Sequence, residues 1–140
     1  MKERSAIIVD AGPLIALVNI NDHNHGRCKK VWQSFQSSSK LLMPVSALAE
    51  ALAVLPEGRH VLSVVQEILS KFQIQLDCIQ QHELVRAFDL MIKYADLPMD
   101  FADSEIVVIS ERLNIRTIFT MDSDFSIYRP KHIRRYDILQ

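Results

Sequence analysis

The stretch AIIVDAGP, residues 6–13, decides the fold of this 140-residue chain. Its first four residues are apolar and mostly β-branched, which predicts a short strand buried on both faces. Gly12 and Pro13 then turn the chain, and the apolar residues up to Val18 predict a helix that Pro13 opens at its first position. Asp10 lies between the two elements, where a carboxylate that follows a buried strand needs a polar or charged partner.

The rest of the chain repeats this alternation of strand and helix. Short apolar runs predict further strands at 40–43, 73–77, 116–119 and 133–138, and helical spacing predicts helices at 27–35, 47–55, 60–72 and 81–94. Residues 106–109 alone would also suit a strand, but the longer window 101–113 favours a helix. Ser46 is a predicted helix N-cap, and Asn114 is a predicted C-cap. The alternation predicts an α/β layer fold with a central, mainly parallel sheet of four or five strands.

Composition restricts the class of protein. The length suits one domain over residues 1–140, and 49% hydrophobic with 24% charged residues is ordinary for a soluble globular protein. The formal net charge of −1 gives no sign of a strongly basic surface for nucleic acid, although it leaves room for a local basic patch. Cys28 and Cys78 do not make a disulfide framework, so we expect a reducing, cytoplasmic location. Polar and turn residues interrupt the apolar residues 6–20, so no membrane-spanning segment is expected.

Acidic residues recur where the predicted strands end and the helices begin. Asp10 and Asp122 follow strands, and ligand sites in parallel α/β sheets lie at the carboxyl ends of the strands. Glu50 and Asp103 lie in predicted helices. Two like unit charges about 4 Å apart repel by roughly 4 kcal/mol at an effective dielectric constant near 20, so such a cluster needs protons or a cation. Oxygen ligands without histidine suit Mg²⁺ or Mn²⁺, and the pattern therefore favours metal-dependent phosphodiester chemistry.

The stretch MDFADSE, residues 99–105, places three carboxylates directly before the apolar run 106–109. On a helix, Asp100 and Asp103 are three positions apart and share a face, whereas Glu105 lies roughly 200° around the helix from Asp103. We therefore expect the first two acids to face the site and Glu105 to point away, solvated or paired. A helix-cap role is the alternative for Asp100.

Several longer motifs occur in a recognisable order along nearly the whole chain. They are IIVDAGPLIALVN at 7–19, PVSALAEAL at 44–52 and LPMDFADSEIVVISERLNIRTIFTMDSDF at 97–125, with SIYR at 126–129 as a weaker fourth. Their sequence and spacing resemble the PIN domain family, and in particular the VapC-like toxins of bacterial type II toxin–antitoxin systems. The resemblance implies a three-layer α/β/α sandwich and an Mg²⁺- or Mn²⁺-dependent endoribonuclease.

The acidic residues of the family carry over by position. They fall on Asp10, Glu50, Asp103 and Asp122, and the resemblance implies that these four are catalytic and hold one or two Mg²⁺ or Mn²⁺ ions. It also implies accessory roles near the site. The accessory candidates are Asp100, Thr120 and Asp124, and a turn role is the favoured alternative for Asp124. The sequence departs from the family where Ser104 stands in place of the commoner Ala and where Glu105 adds a charge.

Basic residues provide weaker candidates for contact with RNA. They are Arg112, Arg116, Arg129 and Arg134. The alternative is that these side chains belong to a solvated strand edge or to the last turn of a helix. The resemblance further implies three partners, namely an RNA substrate, a cognate antitoxin protein and a second copy of the chain in a homodimer.

A second class of function stays open alongside the nuclease. A PIN-like module with weak catalysis would bind RNA or a partner protein without useful cleavage. The complete set of four acids favours the nuclease, and an RNA cleavage assay with metal titration separates the two.

Overall fold

Five parallel strands form the central sheet in the computed structural model, which describes residues 5–140. The strands are β1 (Ala6–Val9), β2 (Lys40–Pro44), β3 (Gln75–Asp77), β4 (Thr117–Phe119) and β5 (Asp137–Leu139), in the spatial order β3-β2-β1-β4-β5. β1 is central, and its Ile8 pairs with Leu42 of β2 on one side and with Ile118 of β4 on the other. The predicted α/β fold with a parallel sheet is confirmed.

Six helices connect these strands and cover both faces of the sheet. They are α1 (Ala11–Val18), α2 (His25–Ser34), α3 (Val45–Val54), α4 (Arg59–Lys71), α5 (Leu84–Lys93) and α6 (Phe101–Leu113). Two single turns of 3₁₀ helix occur at Gln81–Glu83 and Ser123–Ser126. Within the described residues, no helix has both the length and the hydropathy needed to cross a membrane.

Side chains of the strands alternate between two core layers, as the two-residue period of a strand requires. Ile7 and Val9 of β1 pack with Trp32 of α2 and the small residues of α3, in a layer that α1 and α4 complete. Ile8 points to the opposite face and packs with α5, α6 and the C-terminal segment. This arrangement is the three-layer α/β/α sandwich that the resemblance implied.

Several boundaries differ from the predictions, for local reasons. α1 begins at Ala11, so Pro13 is its third residue and not its first. The strand expected at 133–138 pairs only at Asp137–Leu139, because β4 offers just three residues to pair with. Ser46 is not an N-cap, since α3 already begins at Val45. Asn114 is the C-cap that was predicted, with left-handed backbone angles of φ 53° and ψ 47°.

Two buried tyrosines in the layer beside α6 differ in how their hydroxyls are satisfied. The Tyr136 hydroxyl lies 2.6 Å from Ser110 Oγ, in the last turn of α6. The Tyr128 hydroxyl is also buried but makes no hydrogen bond with any described residue. Its ring packs edge-on against Phe125 and Tyr94, with ring centroids 5.1 Å and 5.0 Å apart.

We expect removal of the two hydroxyls to have different effects on the free energy of unfolding. Tyr136→Phe breaks a buried hydrogen bond and should lower the free energy of unfolding by about 1 kcal/mol. Tyr128→Phe removes a buried polar group that has no partner, so it should leave the free energy of unfolding unchanged or raise it. Urea unfolding of both variants beside the wild type measures the difference. Equal destabilisation by the two substitutions would contradict the assignment.

Candidate active site

Asp10 is the centre of the candidate site because it ends the central strand. Its side chain is only 8% exposed, and both carboxylate oxygens accept hydrogen bonds. The backbone N–H of Ala11 donates to Oδ1 at 2.8 Å, and the Thr120 hydroxyl donates to Oδ2 at 2.8 Å. Burial nevertheless raises the pKa of Asp10, and the charges of Asp122 and Asp100 raise it further.

Thr120 connects the ends of β1 and β4. Its hydroxyl donates to Asp10 and accepts the backbone N–H of Asp122 at 3.0 Å. Asp122 in turn accepts the N–H of Asp124 at 2.9 Å and caps the 3₁₀ turn Ser123–Ser126. The order of β1 and β4 in the sheet thus brings Asp10 and Asp122 to the same edge, with one threonine hydroxyl between them.

Asp100 and Asp103 form a reciprocal cap at the start of α6. The Asp103 N–H donates to Asp100 Oδ1 at 2.8 Å, and the Asp100 N–H donates to Asp103 Oδ2 at 3.3 Å. Asp100 is therefore the N-cap and lies just outside the helix. Burial is the largest cause that raises the pKa of Asp103 to about 8, and the charge of Asp100 is the next.

Glu50 approaches the same region from α3. Its side chain is exposed, yet partial desolvation raises its pKa, and the charges of Asp10, Asp100 and Asp122 add to this effect. The charges of Asp10 and Asp122 therefore raise the pKa of both Glu50 and Asp103, although the four candidate acids come from four different elements. Their shared negative charge has no protein counter-ion, since none of them forms an ion pair within residues 5–140.

The candidate ligands are chemically suited to a hard divalent cation, but in this structure they are not already arranged to coordinate one. Every candidate ligand is a carboxylate oxygen, which is the donor that Mg²⁺ and Mn²⁺ prefer. Across the described part of the chain, however, no three His, Cys, Asp or Glu side chains are placed as a group that could hold a metal ion. Mg²⁺ usually keeps several waters and uses only one or two carboxylates, so direct contact with all four acids is not required.

Glu105 was expected to be either solvated or paired, and the structure shows it hydrogen-bonded inside the protein. It does not point to solvent but is 2% exposed, inside the structure. Its Oε1 accepts the N–H and the hydroxyl of Ser46, and its Oε2 accepts the N–H of Ile79 at 3.0 Å. The sequence signal that could have indicated its burial is the adjoining apolar run 106–109, because four consecutive apolar residues cover every side of a helix and leave no solvated face there.

The candidate arginines differ in how far they are engaged within the chain. Arg112 makes ion pairs with Asp77 at 3.0 Å and with Glu83 at 3.2 Å, so its charge is used inside the protein. Arg116 has only a long contact of 3.9 Å with Asp137, and both side chains are largely exposed. Arg129 donates to the backbone oxygens of Ser126 and Tyr128. Arg134 is exposed.

Comparisons with known proteins point to one family. The model of the PIN domain family matches residues 7–129. Among solved structures, the chain is similar to the VapC20 toxin of Mycobacterium tuberculosis, a sarcin–ricin loop cleaving toxin. The TM-score is 0.76 at 20% sequence identity, and the alignment covers 91% of this chain and 98% of that one. No curated protein sequence matches the chain.

The raised pKa of Asp103 predicts how the metal-free protein responds to pH. The folded state holds this proton up to a pH of about 8, whereas the ordinary pKa of an aspartate side chain is 3.8. Because the folded state then binds more protons, stability is highest below the lower value and is lost as the pH rises toward the higher one. Asp103→Asn removes this loss and keeps an oxygen for the Asp100 N–H. The variant should gain stability over the wild type as the pH rises from 4 to 8.

Thermal unfolding of both proteins in chelator, across this pH range, measures the effect. Asp89→Asn, which removes an exposed acid of α5, is the matched control and should run parallel to the wild type. If the melting temperatures of Asp103→Asn and the wild type change in parallel with pH, the ionisation of Asp103 does not destabilise the folded state.

Proposed function

Because the chain belongs to the PIN domain family, we propose that it is a metal-dependent endoribonuclease that acts as the toxin of a type II toxin–antitoxin pair. The observation that carries the proposal is the set of carboxylates at the carboxyl ends of β1 and β4, which forms no ion pair with any of residues 5–140. The fold shared with a VapC toxin supports it. We further propose that the protein acts in the cytoplasm.

In this proposal Asp10, Glu50, Asp103 and Asp122 hold one or two Mg²⁺ or Mn²⁺ ions, directly or through water. When bound, such an ion lowers the pKa of a water and offsets the charge that develops on the phosphate. No side chain has to act as a nucleophile. The protein supplies orientation, because Thr120 fixes one oxygen of Asp10 and the cap with Asp100 fixes Asp103.

The same proposal assigns the RNA backbone to the basic residues near the C-terminus. Arg129 follows the turn that Asp122 caps, and its side chain is exposed, so it is the best-placed candidate to contact a phosphate. Arg116 and Arg134 are exposed and would contribute at longer range. Arg112 is the weakest candidate, since binding RNA would compete with its ion pairs.

One observation favours the second candidate, a PIN-like binding module with weak catalysis. The acids are not arranged as a three-ligand group in the described residues. If a bound ion does not reorganise them, the domain would bind RNA or protein without cutting it. Cleavage that depends on both the metal and the acids decides between the two functions.

We propose that the antitoxin binds a partly apolar groove between α2 and α4. The groove has a volume of about 870 Å³, and its lining combines apolar residues such as Val64 and Phe72 with polar and charged ones such as Gln33, Glu67 and Lys71. An amphipathic helix is the kind of segment that such a groove accepts. If the protein is the toxin of a type II pair, an antitoxin protein must bind it, and the structurally similar VapC20 is itself a toxin.

We also propose that the protein is a homodimer, with α5 as the candidate contact. Val85, Phe88 and Ile92 form a stripe along this helix and are 70%, 52% and 74% exposed. Their spacing of three and four positions places them on one face. An exposed apolar stripe of this kind is typical of a protein interface.

Loss of either of two acids should abolish cleavage. We expect Asp10→Asn and Asp103→Asn to lower the Mg²⁺- or Mn²⁺-dependent rate by about 100-fold or more, because each removes charge from the metal site. The substrates are an RNA hairpin that carries the sarcin–ricin loop and an unstructured RNA strand. Mapping of the cleaved ends then defines the site of attack.

The control for this assay is Asp89→Asn, which should cleave at the wild-type rate. Each preparation is also tested in chelator, where cleavage should stop. Cleavage by Asp10→Asn at the wild-type rate, in a preparation free of other nucleases, would contradict the assignment of the site. Binding of RNA without cleavage by the wild type would favour the second candidate function.

The groove prediction is tested by growth. Induced wild-type protein should arrest a bacterial host, and the product of a short reading frame adjoining the gene should restore growth. Val64→Asp places a charge beside the apolar residues of this groove. We therefore expect the variant to stay toxic when the product of the adjoining reading frame is also made. Its thermal melt must match the wild type. Full rescue of a folded, toxic Val64→Asp protein would show that the antitoxin binds elsewhere.

A further inference from the structure

Glu105 is a buried carboxyl group with no cationic partner among residues 5–140. It is 2% exposed and forms no ion pair with a described residue. Its two oxygens instead accept hydrogen bonds from N–H and O–H donors, which are the contacts that a buried polar group needs. Two of those donors belong to Ser46, in the first turn of α3, where the helix dipole also favours a negative charge.

These hydrogen bonds join three segments that are far apart in the sequence. Glu105 belongs to α6, Ser46 belongs to α3, and Ile79 follows β3. A second side chain of α6 holds the same segment after β3, because Arg112 donates to the Cys78 carbonyl oxygen at 3.0 Å. The side chain of Glu105 therefore ties the start of α3 to a part of the structure that is fixed independently.

The position of Ser46 matters because Glu50 lies one turn further along the same helix. Residues four positions apart share a face, so the face of α3 that contacts α6 also carries Glu50. A rotation of α3 about its axis would move both side chains together. The hydrogen bonds between Ser46 and Glu105 oppose such a rotation at the end of the helix nearest α6.

We propose that Glu105 is a positioning residue that fixes the rotation of α3 and thereby directs Glu50 toward Asp10. The inference rests on the proposed function, in which Glu50 is a metal ligand, but it adds a residue for which the family resemblance gave no role. Glu105 itself touches neither metal nor RNA. Its effect on the site passes through Ser46 and α3.

The test compares Glu105→Gln, Glu50→Gln and the double variant by calorimetric titration with Mn²⁺. A glutamine can present its oxygen to only one of the two sets of donors, so Glu105→Gln loses either the Ser46 contact or the Ile79 contact. We expect it to weaken Mn²⁺ binding by about 10-fold, the scale of residues that orient metal ligands. The double variant should bind Mn²⁺ no more weakly than Glu50→Gln, because both substitutions act through one side chain.

Glu111→Gln is the matched control on the same helix. Glu111 pairs with Arg86 of α5 at 2.8 Å, so its loss should lower the melting temperature without a change in Mn²⁺ affinity. Ser46→Ala should weaken Mn²⁺ binding, and Ser46→Thr, which keeps the hydroxyl, should restore it. Additive effects of Glu105→Gln and Glu50→Gln, or an equal loss of affinity in Glu111→Gln, would overturn the proposal.

Amide hydrogen exchange separates this inference from the proposed function. Residues 46–50 should exchange faster in Glu105→Gln than in Glu111→Gln, whether or not metal is present. If the wild type binds no Mn²⁺, the proposed function is wrong and the role of Glu105 is judged from this exchange alone. Unchanged exchange at residues 46–50 would then overturn the positioning role as well.

Discussion

The buried carboxylate of Asp10 is the constraint on which the rest of the site depends. It lies at the end of the central strand, 8% exposed, with hydrogen bonds from Thr120 and from the first residue of α1. These bonds support the charged form, yet burial and the neighbouring acids oppose it. The parallel sheet brings these acids together, because the carboxyl ends of β1 and β4 lie at the same edge.

The neighbouring elements add to this charge and do not neutralise it. α6 begins with the capped pair Asp100 and Asp103, and α3 brings Glu50. Each of these residues has a structural explanation of its own, as a cap or as a helix surface residue. Together they leave a region of negative charge without an ion pair in the described residues, which is the arrangement expected of a protein that uses a divalent cation.

Much of the fold could be predicted from local pattern, and the errors have physical causes. The four apolar residues of β1 predicted the buried central strand, and the full window 101–113 favoured the helix α6 over the strand that residues 106–109 alone would suit. Strand ends were less predictable, since pairing with β4 limits β5 to three residues. The partners of Glu105 could not be predicted from helix periodicity, because they lie in α3 and in the segment after β3.

The four candidate acids could be chosen from the sequence because strand ends and family motifs mark them, but their mutual placement could not. That placement depends on which strands are neighbours, and the order β3-β2-β1-β4-β5 is a property of the whole chain. The resemblance named Thr120 as an accessory residue, but its contacts could not be predicted. Its hydroxyl joins two acids that are more than a hundred positions apart in the sequence.

We propose that a divalent cation occupies the space among these carboxylates. The most direct measurement is anomalous scattering at the manganese absorption edge from crystals of the wild-type protein soaked in Mn²⁺. We expect one or two anomalous peaks from manganese ions that Asp10 and Asp103 coordinate, directly or through water, with Asp122 and Glu50 completing the site. Full soaking with no peak beside Asp10, or with manganese bound only at other surface acids, would contradict it.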